Sequence, residues 1–194
     1  ALCSSSYKEF TSEKVFKKDE VILNIKINEK ISIYYLHQLF QVNFMTKNKT
    51  LSINEIFLLA VKKHQQNKTD VAQRLYSQVL KINQNHVDAH NNLGIIFKNL
   101  GENEKAIDCY EKAIAINPNY ANAHNNLGLV FKNLGENEKA IDCYEKAITI
   151  NPNHLDAYNN LGIIFAQLGQ NQKAIDCYEK AITINPNHAN AHNN

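Results

Sequence analysis

His86 and His90 stand four residues apart, as do His188 and His192, a spacing that on one helix turns both imidazoles to the same side and suits a metal ion. Each pair is broken by its setting. His86 and His188 fall in a loop before a helical segment, no third ligand lies nearby, and the intervening copies carry Tyr120 and Tyr158 in place of one imidazole. Cys109, Cys143 and Cys177 recur at one fixed interval, which suits neither a disulfide framework nor a zinc site. With Cys3 they read as four thiols of a reducing, cytoplasmic setting, the repeated three being copies of one small half-buried residue. No phosphate-binding G-x-x-x-x-G-K-[ST] loop, G-x-S-x-G elbow or H-E-x-x-H pair occurs. The chain is therefore expected to have no catalytic, metal or cofactor residues of its own.

Hydrogen bonding is the chemistry that remains. "AHNNLG" occupies 89–94 and 123–128, "AYNNLG" occupies 157–162, and "AHNN" closes the chain at 191–194. Asparagine is a poor helix former, so a doublet that returns in register inside a helical pattern needs a reason. At 100° per residue Asp88, Asn91, Asn92, Ile95, Lys98 and Asn99 lie opposite the apolar stripe of their helix, and the next copy places Asn125, Asn126, Leu129 and Lys132 there. The third copy supplies Asn159, Asn160 and Ile163. These asparagines are expected not to pack. An amide both donates and accepts, so a row of them can bond the backbone of an extended peptide without reading its side chains.

Two helices per copy must position that row. Val87–Tyr120 and Ala121–His154 differ at six of thirty-four positions, and Leu155–His188 follows in the same register. Ala89, His90, Leu93, Gly94, Phe97 and Leu100 form the apolar side of a first helix (A), stopped at Gly101 because glycine tolerates the left-handed closing conformation. Ala106, Tyr110, Ala113 and Ile114 form the stripe of a second (B), which ends before Pro118. Asp108/Lys112, Asp142/Lys146 and Asp176/Lys180 are i,i+4 pairs on its outer face, worth about 0.2–0.5 kcal/mol each.

A thirty-four-residue period with Leu93, Gly94, Gly101, Ala106, Tyr110, Ala113 and Pro118, and their equivalents at Leu127–Pro152 and Leu161–Pro186, resembles the tetratricopeptide repeat (TPR). One departure is constant: the family's aromatic at the fourth position is His90, His124 and His192 here, and only Tyr158 conforms. A degenerate unit precedes these at 53–86, with Ala60 for glycine and Gln84 for proline. The resemblance implies an all-α, right-handed superhelical solenoid of antiparallel helix pairs, whose A helices line a concave groove. Domain organisation follows as units 53–86, 87–120, 121–154 and 155–188, a truncated start at 189–194, and a non-repeat leader over 1–50. The row of Asn92, Asn126, Asn160 and Asn194 is similar to the asparagine ladder of O-linked N-acetylglucosamine transferases, and the wording of the units is similar to bacterial proteins of that type.

Charge is unevenly placed. Residues 1–50 carry eight Lys against five acids, 51–86 five basic against two, and 87–194 eight against twelve, so the regular repeats lack a basic stripe able to follow phosphates. Nucleic acid is not the expected partner. The apolar runs are too short and too interrupted for a membrane span, and the first ten residues are no signal peptide. Within the leader, 21–36 alternates like two strands of a hairpin; a small helper segment, a disordered leader and untranslated upstream sequence before Met45 all fit it. At the other end the chain stops six residues into a new unit and is expected to expose Ala174, Tyr178, Ala181 and Ile182, which marks a piece of a longer protein. The functional expectation is a protein- or peptide-binding scaffold using Asn91, Asn92, Lys98, Asn125, Asn126, Lys132, Asn159 and Asn160. Two alternatives stay open: the substrate-recognising front of a larger transferase, glycosyltransferase first, and an architectural spacer. The carboxylate-clamp pattern for chaperone tails needs a basic residue early in helix A; that place holds Asn91, Asn125 and Asn159, and the basic groove residues are Lys98 and Lys132 alone.

Overall fold

A computed structural model of the chain describes residues 51–186. The hairpin expected at 21–36, the rest of the leader, and the last eight residues, with His188, His192 and Asn194, lie outside them. Eight helices occupy the described residues: α1 (Ile53–Gln65), α2 (Thr69–Ile82), α3 (Val87–Asn99), α4 (Asn103–Ile116), α5 (Ala121–Asn133), α6 (Asn137–Ile150), α7 (Leu155–Gln167) and α8 (Asn171–Ile184). Odd-numbered helices are of type A and even-numbered of type B; each A packs on its own B, and α3, α5 and α7 pack also on the B before them, which makes an all-α solenoid.

Local signals set the helix ends. Ser52 and Glu55 form a capping box at α1, each side chain satisfying the other's backbone N–H. At the A-to-B turns Gly101, Gly135 and Gly169 take φ of +77°, +78° and +71°. The Glu102 N–H then reaches back to the Phe97 carbonyl at 2.9 Å and closes α3. Asn67 holds the same left-handed position in the degenerate unit, at φ +57°. Each B helix from α4 to α6 ends at an extended asparagine, Asn117 or Asn151, just before proline.

Packing within a pair depends on glycine facing tyrosine. A Cβ on Gly94 would sit 2.6 Å from Tyr110 Cε1, on Gly128 2.8 Å from Tyr144 Cε1, and on Gly162 2.6 Å from Tyr178 Cε1. The absent side chains let the two backbones close around the rings, and Tyr76, Tyr110 and Tyr144 are fully buried. Ala174, Tyr178 and Ala181, expected to be exposed, are buried instead. Their stripe meets α7 of its own unit, and Ile182 is partly buried; Ile175 is the exposed large hydrophobic residue of that helix. Leu100, assigned to the apolar side of its helix, is half-exposed like Leu134 and Leu168, because the helix closes there.

Candidate peptide-binding groove

Consecutive A helices touch one another, α3 with α5 and α5 with α7, whereas no two B helices are in comparable contact. The A layer is therefore the inner, shorter side of the stack, and residues on its free face line a groove.

The asparagines behave differently within each doublet. Asn91, Asn125 and Asn159, expected on the free face, are buried, being 5%, 8% and 9% exposed. Asn92, Asn126 and Asn160 are only partly buried. The reason is a bond between repeats: Asn126 Nδ2 donates to Asn91 Oδ1 at 3.0 Å, and Asn160 Nδ2 donates to Asn125 Oδ1 at 3.1 Å. Asn91 passes the contact on, its Nδ2 lying 3.4 Å from Asn92 Oδ1. The first asparagine of each of these doublets thus turns toward the next repeat, and the second toward the previous one. Two poor helix formers in succession are what this seam requires, since one residue cannot face both neighbours. Asn126 and Asn160 keep their Oδ1 atoms without another hydrogen bond among the described residues.

Between the seams lie Ile95, Leu129 and Ile163, all partly buried. Lys98 and Lys132 are half-buried at the far end of the same stripe, and burial lowers the pKa of Lys98. At the opposite end Tyr120 Oη donates to Asp88 Oδ1 at 2.6 Å.

The histidines that suggested metal are engaged elsewhere. His86 Nδ1 and His154 Nδ1 accept the N–H groups of Ala89 and Ala157, capping α3 and α7. His90 Nε2 lies 2.9 Å from the Gln84 carbonyl and His124 Nε2 3.0 Å from that of Pro118, so imidazole replaces the family's aromatic by donating to the preceding loop. Among the described residues no group of three His, Cys, Asp or Glu side chains gathers as metal ligands would. Cys109, Cys143 and Cys177 are buried free thiols, and burial raises their pKa to about 11. They are less accessible than their expected half-buried placement. The outer face carries Lys112–Asp108 and Lys146–Asp142 pairs at 2.7 Å, while Asp176 accepts from Gln172 at 3.0 Å.

Comparison with known proteins agrees with this geometry. Family models described as tetratricopeptide repeats match residues 75–108 and 119–187, and a further TPR repeat model matches 96–135. No curated protein sequence matches the chain. A crystal structure of MamA is 33% identical over 69% of this chain and 78% of its own, with a TM-score of 0.62. PilF of Pseudomonas aeruginosa is 25% identical over 72% of this chain and 64% of its own, with a TM-score of 0.67. The first TPR of Spaghetti (RPAP3), solved with an HSP90 peptide, shares the fold at 23% identity, over 55% of this chain and 85% of its own, with a TM-score of 0.53. Period, helix pairing, glycine–tyrosine contacts and these matches together place the chain in the tetratricopeptide repeat family.

Proposed function

We propose that the chain is a scaffold that binds a protein segment in extended form along the inner face of its A helices. The observation that carries the reading is the repeated pair of a partly exposed asparagine and a partly exposed aliphatic residue: Asn92 with Ile95, Asn126 with Leu129, Asn160 with Ile163. Asn126 and Asn160 are already fixed by their neighbours through Nδ2, so their carbonyl oxygens wait in place for peptide N–H groups and lose little freedom on binding. Asn91, Asn125 and Asn159 belong to the same site as supports, and Lys98 and Lys132 border it.

At about 0.5–1.5 kcal/mol net per hydrogen bond, such a row supplies a few kcal/mol, similar to the ~2–5 kcal/mol cost of ordering a disordered segment. Affinity is therefore weak, near or above ~1 μM, with the aliphatic residues supplying the surplus. The chemistry is binding alone. No described helix is long and apolar enough to cross a membrane, and buried free thiols suit a reducing compartment such as the cytoplasm.

The register of Asn92, Asn126 and Asn160 also supports a second reading, in which this groove is the substrate-recognising arm of a larger transferase of the O-linked N-acetylglucosamine type. Sequencing the native message past Asn194 separates the two: a long α/β region favours the arm, a capping helix and a stop favours the adaptor. The groove itself is tested by measuring peptide binding to a variant with Ala at 92, 126 and 160 and to an outer-face control with Ala at 112 and 146. Loss of binding in the first alone supports it; unchanged binding in the first overturns it.

A further inference from the structure

We infer that the groove selects an acidic extended segment of a partner protein, and that Lys98 and Lys132 hold two of its carboxylates three residues apart. The inference rests on the groove reading above and adds the partner's charge and spacing to it.

Lysine in units 87–154 follows a rule. The four on B helices, Lys105, Lys112, Lys139 and Lys146, are each paired with a carboxylate on their own helix or its cap, Glu102, Asp108, Glu136 and Asp142. The ammonium groups of the two on A helices, Lys98 and Lys132, have no carboxylate or other hydrogen-bonding partner among the described residues. They are also the half-buried ones, whereas the paired four are exposed. A cation in the last turn does favour the helix dipole, but a fully exposed lysine serves the dipole equally well. Seven residues separate Asn91 from Lys98, which at 100° per residue returns to within about 20° of the same direction. Both lysines therefore rise along the seam that the asparagines close, at the edge of the groove. Asp88, the acid on the same stripe, is ten residues away, about 15 Å along the helix, and is engaged by Tyr120.

Spacing narrows the ligand. α3 and α5 are in contact, and we take the about 8–10 Å separation of packed helices as the repeat of the two ammonium groups. A polyproline II segment brings side chains back to one face every three residues, about 9.3 Å, whereas a β-strand returns at about 6.7 or 13 Å. Two acids in the order acid-x-x-acid on a polyproline II segment match the row. It ends at Ala166, which stands where Lys98 and Lys132 stand in the preceding units.

The test uses the full chain and labelled proline- and serine-based peptides, read by fluorescence anisotropy. One peptide carries two Glu three positions apart, one carries them adjacent, and one has Gln in their place. The spaced peptide is expected to bind about tenfold more tightly than the Gln peptide, an advantage lost at high salt and in a Lys98→Met/Lys132→Met variant. Ala166→Lys is the gain-of-function control, expected to tighten binding of a peptide with a third Glu three positions further on. Equal binding of all three peptides overturns the inference and leaves the groove standing; equal binding of the adjacent and spaced acids overturns the spacing. Binding of none overturns both the inference and the groove reading. Tighter binding of a single-stranded oligonucleotide than of the spaced peptide also overturns it.

Discussion

The bond between Asn126 and Asn91 joins residues 35 apart in sequence, and a double-mutant cycle across it reads how strongly neighbouring repeats are coupled. Asn126→Ala leaves Asn91 Oδ1 buried in a residue 5% exposed, without its donor, and an unsatisfied buried acceptor costs about 1–3 kcal/mol. Asn91→Ala removes the acceptor, but the partly exposed Asn126 amide can turn to water, so only the net bond of about 0.5–1.5 kcal/mol and a small void are lost. In the double variant no orphan remains. The two changes together should cost less than their sum by about 1 kcal/mol. Urea unfolding followed by far-UV circular dichroism and by tyrosine fluorescence gives each corner of the cycle, with coincident curves needed because repeat arrays can unfold piecewise. Additivity within ~0.3 kcal/mol would refute the seam, since residues that do not interact add.

Other outcomes follow from the same geometry. Gly128→Ala drives a Cβ to 2.8 Å from Tyr144 Cε1 and should cost about 1–3 kcal/mol, whereas Tyr144→Phe removes a buried hydroxyl that has no partner and should be neutral or stabilising by up to about 1 kcal/mol; thermal melts compare them. His154 caps α7 as the neutral imidazole, and burial lowers its pKa although Asp156 opposes the shift. The unfolded chain therefore binds the proton first, so stability is full above the ordinary histidine value, declines as pH falls through the folded one, and loses that slope in His154→Asn. Cys109, Cys143 and Cys177 should resist a thiol reagent at neutral pH and react on denaturation, which mass spectrometry of the labelled sites reads directly.

The helix pairs were legible because period, glycine and proline act locally: Gly101 ends α3 and Asn117-Pro118 ends α4 whatever surrounds them. Burial of Asn91 was not, because a helical wheel knows the faces of one helix and nothing of the next repeat. The doublet itself was the available signal, two amides at successive angles where one would suffice for a single face. The same limit hid His90, whose partner is a loop carbonyl six residues back, and Tyr120, which reaches Asp88 thirty-two residues away. Leu100 was misjudged for a different reason: the wheel continues past the point where the chain leaves the helix.

The central claim is that the inner face of the A helices is the binding surface. Amide chemical-shift mapping of the labelled chain during titration with an extended acidic peptide tests it most directly. Perturbations concentrated at Asn92, Ile95, Lys98, Asn126, Leu129, Lys132, Asn160 and Ile163 are the predicted result. Perturbations confined to the outer face, around Lys112, Lys146 and their carboxylate partners, would contradict it.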